Sequence, residues 1–395
     1  MTTTAKDTTD NTNRSLADLT VAPVDFATIA EIWAALVPES ITPFPFVSPA
    51  WAEPWWQVFG TDTASLLLLS VTDATGALIA VAPLMIEHTD DLGRAVRFLG
   101  GVDVTDYLDL IVRPADAERS WGAVVGWLLA HRDTWDALDF HCLPDASPSR
   151  SLIAEAVARA DMGVAVLVAQ EEVCPAAPLY GGFEAYLAQI GKKNRNEIRR
   201  KERNLLREAP DAALRVLTER DDALAALPDF FRLHRLSAPD KERFLTPTVE
   251  TFFGAITARM ADAGTLRLYV LEMGGEAVAM MYAFAAAGRL LVYNSGYDPT
   301  RSATSVGMVL TGMMIASAAE SGLTVCDFMR GNEAYKYRFG ATDVPLWRVI
   351  AGTNAALLER ARAAMMAHLA VPADDRDHDE DNGNDNAGNS MPDAR

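Results

Sequence analysis

Apolar and polar positions follow two different periods along the first 170 residues of the chain. Phe26, Ile29 and Trp33 recur at helical spacing and predict a helix near the N-terminus. Farther on, two apolar runs flank the turn sequence Asp73-Ala-Thr-Gly76, a combination typical of a β-hairpin. The pattern predicts a first mixed α/β unit over roughly 20–172, with strands at 65–71, 78–86, 95–99, 107–112, 137–142 and 164–168 and helices at 117–131 and 151–159.

A second series of elements follows Pro178. Gly274-Gly275 and Gly288 separate three apolar runs, which predicts three antiparallel strands. We therefore expect an N-terminal half over 19–172 and a C-terminal half over 173–370, flanked by a disordered N-terminus, 1–18, and an acidic disordered tail, 371–395. In the second half the predicted helices are 183–190, 191–203, 224–235, 247–263, 306–321 and 355–369, and the strands are 213–217, 266–273, 276–286, 289–295, 324–329 and 347–350.

Composition adds a strong acidic charge to this picture. The chain has 395 residues, of which 50% are hydrophobic, enough for two cores. Its formal net charge is -19, so long-range repulsion argues against a DNA partner. Much of the acid lies in 374–381, where alternating Asp resembles the start of a calcium loop without its glycine and glutamate positions. No metal site is expected there or elsewhere.

Other features exclude several classes of protein. The three cysteines are widely spaced and form no CxxC, which suits a reducing compartment. The sequence shows no secretory signal, and no apolar run approaches the roughly 18 residues that a membrane span needs. Walker, GxGxxG, GxSxG and HExxH motifs are absent from it as well. We expect a cytoplasmic protein that is neither an NTPase, a dinucleotide oxidoreductase nor a serine hydrolase.

The second unit ends in a concentration of charge, Asp327-Phe-Met-Arg-Gly-Asn-Glu-Ala-Tyr-Lys-Tyr-Arg-Phe-Gly340. Charges that follow an apolar strand need partners, so this block is more than ordinary core. Upstream stand Ser48-Pro-Ala-Trp51, Thr105-Asp-Tyr107 and Gly191-Lys-Lys-Asn-Arg195. In this order and spacing, the motifs resemble the CelD-type (cellulose-biosynthesis) acetyltransferase family of the GNAT superfamily, which is related to the Fem-type peptidyltransferases.

The resemblance covers about 43–349 and implies a tandem GNAT-like acyl-CoA N-acyltransferase fold, α/β (α+β), with a cleft between two mixed-sheet halves. It implies transfer of an acyl group, with acetyl the first candidate, from acyl-CoA to a small-molecule amine or hydroxyl acceptor. The family's links suggest polysaccharide or envelope biosynthesis. Two alternatives remain open: Fem-like aminoacyl transfer from charged tRNA, and a non-catalytic binding subunit of a polysaccharide assembly.

The family does not settle a catalytic residue, so the candidates rest on position and chemistry. Acyl transfer to an amine needs a proton acceptor and donors for the oxyanion. Asp327 and Glu333 are the candidate bases, and Tyr335 could protonate the leaving thiolate. Arg330 and Lys336 could hold an anionic group of either substrate. The alternative is an internal cluster of ion pairs, Asp327 with Arg330 or Glu333 with Lys336, that only fixes the loop.

A Ser/Gly-rich loop enters the predicted helix at 306–321. Unpaired N–H groups at such a helix start favour anions, here the pyrophosphate of acyl-CoA. The cofactor-binding candidates are Ser305, Val306, Gly307 and Met308, with Ser305 as the capping side chain, and Tyr297 is a substrate-binding candidate. An ordinarily capped helix is the alternative, because the loop lacks the Arg/Gln-x-x-Gly-x-Gly/Ala signature of the GNAT phosphate site.

Two further regions supply substrate-binding candidates. The segment 192–207 holds eight Lys or Arg, and we select Lys192, Lys193, Arg195 and Arg199 as a clamp for a phosphate-bearing ligand. A solvated helix balanced by glutamates explains the segment equally well. In the first unit, Asp106 and Tyr107 could enter a cleft between the halves, although an Asp that forms a turn is the common alternative.

Overall fold

The computed structural model describes residues 18–60, 64–161, 163–354, 358–363 and 366. The terminal segments predicted to be disordered lie outside these ranges except for Asp18, as does the acidic run that resembles a calcium loop. The strands are β1 (Thr20–Pro23), β2 (Ala64–Thr72), β3 (Leu78–Thr89), β4 (Gly93–Phe98), β5 (Ile111–Val112), β6 (Ala137–Pro144), β7 (Ala165–Val173), β8 (Ala176–Pro178), β9 (Ala213–Leu217), β10 (Leu266–Met273), β11 (Glu276–Ala286), β12 (Arg289–Tyr297), β13 (Val325–Asp327) and β14 (Pro345–Gly352). The helices are α1 (Phe26–Leu36), α2 (Pro49–Phe59), α3 (Ala117–Ala130), α4 (Ser149–Ala160), α5 (Gly182–Gln189), α6 (Lys192–Glu208), α7 (Arg220–Ser237), α8 (Pro239–Phe244), α9 (Pro247–Asp262), α10 (Val306–Glu320) and α11 (Ala334–Arg338).

The first sheet has the strand order β1-β2-β3-β4-β6-β14-β7, with β5 paired to β3. The predicted hairpin is confirmed: β2 and β3 pair antiparallel, and Gly76 takes the positive φ of 82° that its turn requires. β4 and β6 pair in parallel because α3 crosses between them. Trp121 on α3 packs against Phe98 and Phe140 in the core of this unit.

The second sheet has the order β8-β13-β12-β11-β10-β9. Here β10, β11 and β12 are the three predicted antiparallel strands, and α10 crosses from β12 to its parallel neighbour β13. The strand–helix–strand crossing β4–α3–β6 therefore recurs as β12–α10–β13. The predicted fold class, an α/β protein with two mixed-sheet halves, is confirmed.

The chain divides into two compact units in a way that the sequence does not show. Among the described residues, one unit holds 18–172 and 345–366, and the other holds 173–344. The predicted halves differ in the last segment, because β14 pairs with β6, Val349 opposite Phe140, and so belongs to the first sheet. Arg348 of β14 also donates to the buried Asp139 of β6, at 2.7 Å. Ladder bonds and an ion pair thus fix β14 in the first unit.

Two strand predictions were too long. The run 107–112 forms a strand only at Ile111–Val112, while Leu108 donates its N–H to the carbonyl of Cys142. The run 324–329 ends as a strand at Asp327, because Met329 takes a φ of 59°, which a strand does not allow. The short elements β1, β8, α8 and α11 were not predicted; three to six residues give too little periodicity to detect.

A charged cluster crosses the first sheet from β4 to β7. His141 Nε2 lies 2.9 Å from Asp139 Oδ2, and its Nδ1 contacts Glu171. Arg97 also donates to Asp139, at 2.8 Å. Both ring nitrogens face carboxylates, an arrangement that is satisfied when both carry protons. Burial opposes the charged form, but Asp139 and Glu171 outweigh it and raise the pKa of His141 above its ordinary value.

We expect the free energy of unfolding of this unit to fall as pH rises through the raised pKa of His141. A raised folded-state pKa gives stabilisation that is complete below the unfolded value of about 6.5 and is lost above the folded one. All eight Trp lie in this unit, so Trp fluorescence in urea titrations from neutral to alkaline pH follows it selectively. His141→Gln should flatten the pH dependence, whereas His88→Gln, at an exposed position, should leave it. If the free energy of unfolding depends on pH as steeply in His141→Gln as in the unmodified protein, other groups cause that dependence.

Candidate functional site

The parallel pairing in the second sheet stops before β12 ends. β12 and β13 are paired only from Arg289 opposite Val325 to Leu291 opposite Asp327. From 292 to 297, β12 keeps β11 on one side and has no described strand on the other. We call this opening, bordered by β12 residues 292–297 and by the chain that follows Asp327, the β12 gap.

The chain after β13 leaves β12 because of its own backbone. Phe328 donates its N–H to the carbonyl of Pro175, and Gly331 donates to that of Val173. Gly331 has a φ of 102°, and a Cβ there would lie 2.7 Å from Glu333 Oε2, so this turn requires glycine. The glycine in the charged block therefore shapes the turn that borders the gap.

A β-bulge shapes the strand that borders the gap. Asn294 pairs with Tyr282 and Val292 with Ala283, which leaves Tyr293 as the additional residue of β12. The Tyr293 ring packs 5.8 Å from that of Phe253 on α9. Asn294 Oδ1 lies 2.8 Å from Nε2 of a histidine on α7, His234. The bulge thus brings an amide and an imidazole together at the gap.

His234 is almost completely buried, with 1% of its surface exposed. Burial first, and then the charge of Lys241, lower its pKa to about 4, so the ring is neutral at pH 7. Within the described part of the chain, Nδ1 of His234 makes no hydrogen bond of ordinary geometry. The nearby backbone of Lys241 opposes part of the decrease in the pKa of His234. The neutral imidazole can therefore form hydrogen bonds, but it is a poor proton acceptor at pH 7.

Lys241 reaches β12 from the short helix α8. Its Nζ lies 3.2 Å from the carbonyl oxygen of Ser295 and 3.3 Å from Ser295 Oγ. The side chain is half-buried. The ammonium group therefore stands at the part of β12 that lacks a partner strand. Sequence reasoning missed His234, Asn294 and Lys241 as site residues.

Lys336 is turned into the protein and organises the loop that borders the gap. Only 2% of it is exposed, and its Nζ donates to the carbonyls of Met329, Arg330 and Gly331 at 3.3, 2.8 and 3.0 Å. Glu333 Oε2 lies 2.6 Å away in an ion pair whose direction is poor for a hydrogen bond. The geometry matches the alternative in which Glu333 and Lys336 fix the loop.

Asp327 is buried and satisfied by groups near it. It accepts the N–H of Met329 at 3.0 Å and lies 3.3 Å from Arg289 Nη1. Arg289 of β12 is thus one ion-pair partner of Asp327. In the first unit, Asp139 and Arg97 occupy corresponding strands and also form an ion pair. Because the same Asp–Arg ion pair occurs in both units, we infer that Asp327 has a structural role.

The remaining members of the charged block lie beside this loop. Tyr335 is half-buried, and its ring meets Phe328 edge-on at 6.2 Å. Arg330 is half-buried, with its carbonyl bound to Lys336. The fold thus gathers the five candidates from 327 to 336 around one turn.

α10 begins near the C-terminal end of β12. Ser305 has a φ of 54° and makes no side-chain capping bond, so the prediction that it caps α10 was wrong. A capping side chain needs extended backbone at that residue, and the left-handed conformation of Ser305 turns its side chain elsewhere. Val306, Gly307 and Met308 have no intrahelical acceptor for their N–H groups. A Cβ added at Gly307 would lie 3.6 Å from the ring of Tyr297, so the two residues are neighbours.

The basic helix α6 packs against α10 in the opposite direction. Ile198 lies near Gly312 in the middle of α10. Just beyond the C-terminus of α6, Asp211 accepts the N–H of Gly274, in the turn at the end of the sheet where β12 also ends. The C-terminal half of α6 is therefore the half near the start of α10. The predicted clamp residues from 192 to 199 lie toward the other end.

The clamp candidates differ in their contacts. Arg199 pairs with Glu184, and Arg195 donates to the carbonyl of Leu187 at 3.3 Å. Lys192 and Lys193 are exposed and have no ion-pair partner among the described residues.

The two candidates of the first unit are buried there. Tyr107 packs 5.0 Å from the ring of Phe44, and 8% of Asp106 is exposed. Neighbouring Thr105 accepts the indole N–H of Trp51 at 3.0 Å. The structure places these residues in the first unit, whereas the β12 gap belongs to the second.

The splayed parallel strands and the crossing helix lie within the part of the chain that matches a known family. Residues 192–337 match an acetyltransferase (GNAT) domain. The match covers the GNAT domain from α6 to α11 and leaves the first unit outside it. Among curated proteins, none matches the sequence of this chain.

Solved structures resemble the chain over a longer range than the GNAT domain. FemX has 11% identity and a TM-score of 0.59, over 84% of this chain and 96% of that one. The C-terminal domain of a lysylphosphatidylglycerol synthetase from Agrobacterium fabrum has 13% identity and a TM-score of 0.53, over 87% and 96%. L-PGS from Bacillus licheniformis has 12% identity and a TM-score of 0.50, over 81% and 96%. At such identities the likeness concerns the fold.

The described residues hold neither a metal-binding cluster nor a membrane-spanning helix. No group of three or more His, Cys, Asp or Glu is arranged there to hold a metal ion. No helix among the same residues is long and apolar enough to cross a membrane.

Proposed function

We propose that the second unit transfers an acyl group from acyl-CoA to an amine or hydroxyl acceptor at the β12 gap. The observation that carries this proposal is the end of the β12–β13 pairing at Leu291, beyond which no described strand covers that side of β12 and the Ser295 carbonyl and Tyr297 N–H bond instead to the side chains of Lys241 and Ser237. An extended, amide-containing chain such as that of CoA is suited to such an edge, because it can hydrogen-bond to strand backbone. The matched GNAT domain supports the same chemistry.

The start of α10 is the proposed place for the phosphates of the donor. The free N–H groups of Val306, Gly307 and Met308 and the positive end of the helix favour an anion there. Tyr297 beside Gly307 would contact the donor between the phosphates and the gap.

In the reaction, the acceptor nitrogen or oxygen attacks the thioester carbonyl carbon. The new C–N or C–O bond forms, the C–S bond breaks, and the acceptor's proton passes to a base while the thiolate takes a proton. We assign proton acceptance to Glu333, which is 20% exposed in its side chain and so has access to water, and thiolate protonation to Tyr335. The ammonium of Lys241 would stabilise the oxyanion. Asp327 is retained as a second candidate base.

Thermal unfolding of the full chain with CoA, acetyl-CoA and longer acyl-CoAs tests donor binding. A ligand at roughly a hundred times its Kd adds about 2.7 kcal/mol of stability. We expect acetyl-CoA to raise the Tm of the far-UV CD transition more than CoA does. The Tm from Trp fluorescence, which reports the first unit, should move less if the units unfold separately. Absence of any shift with CoA and with every acyl-CoA would contradict the proposal.

The finer assignment follows the CelD-type resemblance: a sugar amine or hydroxyl acceptor, in polysaccharide or envelope biosynthesis, with the reaction in the cytoplasm where acyl-CoA is made. Aminoacyl transfer from charged tRNA is the second candidate, favoured by the unpartnered cations of α6, Lys192 and Lys193. Binding that weakens steeply with salt would distinguish it. Acyl-CoA binding without transfer to any acceptor would instead indicate a binding subunit.

A further inference from the structure

One side of α6 is strongly basic and faces outward. Lys193, Asn196, Arg200, Arg203 and Arg207 recur at three- and four-residue intervals, and all are exposed. We call this stripe, with Lys192, the outer face of α6. The opposite side of the helix is anchored in the core by Ile198 and Leu205.

The cations of the outer face are only partly balanced by the helix itself. Over 192–208 there are eight Lys or Arg against three Glu, a surplus of five positive charges in a chain of net charge -19. Arg200 pairs with Glu197, three residues away. Lys192, Lys193 and Arg203 form no ion pair with any described residue. A surface of this sign in a protein of the opposite sign attracts an anionic partner.

We propose that the partner is the acidic C-terminal segment of the same chain, 371–395. That segment holds seven Asp and one Glu against two Arg, a surplus of six negative charges that nearly matches the helix. Its densest part, 374–381, begins eight residues beyond Met366, the last described residue. Eight extended residues span up to about 27 Å. Because the segment is tethered to the same chain, its docking on α6 would be an intramolecular event.

Two observations favour this occupant over an external polyanion. The whole chain is acidic, so a nucleic acid approaches against net repulsion, whereas the tail is already attached. The outer face also carries no aromatic side chain on which a base could stack. Docking there would screen the basic helix from other anions until one of higher charge displaces the tail. This inference does not depend on the acyl-transfer reaction.

Cross-linking between introduced cysteines tests the proposal directly. The native cysteines, Cys142, Cys174 and Cys326, are all buried, so surface cysteines can be modified selectively. We pair Asn382→Cys, beside the acidic run, with Asn196→Cys in the middle of the outer face. The matched control pairs Asn382→Cys with Thr248→Cys, at an exposed position on α9. A short bis-maleimide is applied to the full chain at 50 mM and 500 mM salt.

We expect the pair at 196 and 382 to cross-link at least fivefold faster than the control pair at low salt, and to lose that advantage at high salt. Replacing Lys192, Lys193 and Arg203 with Gln should also remove it, while far-UV CD confirms that α6 remains folded. Equal rates for the two pairs at low salt, or an advantage that persists in the Gln variant, would overturn the proposal. Heparin binding that is equally tight in the full chain and in residues 1–370 would also contradict it.

Discussion

Replacing Lys336 with Met should lower the free energy of unfolding of the second unit by about 3–5 kcal/mol, the usual loss when one partner of a buried ion pair is removed. Methionine fills much of the same volume but cannot donate to the carbonyls of Met329, Arg330 and Gly331. Glu333 would also lose its partner. Three carbonyls and a carboxylate would then be left without their donor in a half-buried loop.

The distribution of Trp makes this measurement selective. All eight Trp lie in the first unit, so urea unfolding followed by far-UV CD should shift in Lys336→Met while the Trp fluorescence transition moves less. Lys193→Met is the matched control, because Lys193 is exposed and has no ion-pair partner among the described residues; a change within about 0.5 kcal/mol is expected. A loss below about 1 kcal/mol in Lys336→Met would mean that the loop does not depend on this ammonium.

The role of Lys336 could not be predicted from the sequence alone. The charges around it indicated either a site for an anionic group or an internal cluster of ion pairs that includes Glu333 with Lys336. Nothing in those charges shows whether the ammonium points to a ligand or into the loop. The direction is set by the positive φ of Met329 and Gly331, which turns three carbonyls toward one point.

Elements with strong local periodicity could be predicted closely. β9 was predicted at 213–217 and is found there, and α10 differs from its prediction by one residue. Local pattern specifies that 345–352 is a strand, but it does not specify that the strand joins the first sheet. That choice depends on β6 and on Asp139, which lie some 200 positions earlier in the chain.

The β12 gap was predictable only in part. The order of three antiparallel strands, a helix and a strand gave the crossing, and the Gly331 turn was visible as a glycine among charges. His234 and Asn294 are 60 positions apart in the sequence. They meet because α7 packs against β12 at Gly296, where an added Cβ would lie 2.3 Å from the backbone nitrogen of His234. Lys241 reaches Ser295 for the same reason. Such contacts are products of packing and leave no local signal.

Lys241 should matter more for turnover than for donor affinity if acyl transfer occurs at the gap. Lys241→Met is expected to lower kcat by about 100-fold, the usual loss for one oxyanion donor, with KM for acyl-CoA changed only a few-fold. The reason is that its ammonium stands at the strand edge, 3.2 Å from the Ser295 carbonyl, where it can meet charge that develops during the reaction. Lys241→Arg should retain part of the rate because the charge is kept.

The matched control for this experiment is Arg243→Met, on the same short helix, where the exposed side chain pairs with Asp240 and should not affect kcat. Glu333→Gln in the same assay tests the proposed base, and its kcat should fall while donor affinity is retained. If Lys241→Met raises KM for acyl-CoA and leaves kcat intact, the ammonium binds the donor in its ground state. If neither parameter changes while Glu333→Gln is inactive, the oxyanion is stabilised by other groups, and Lys241 serves only to close the edge of β12.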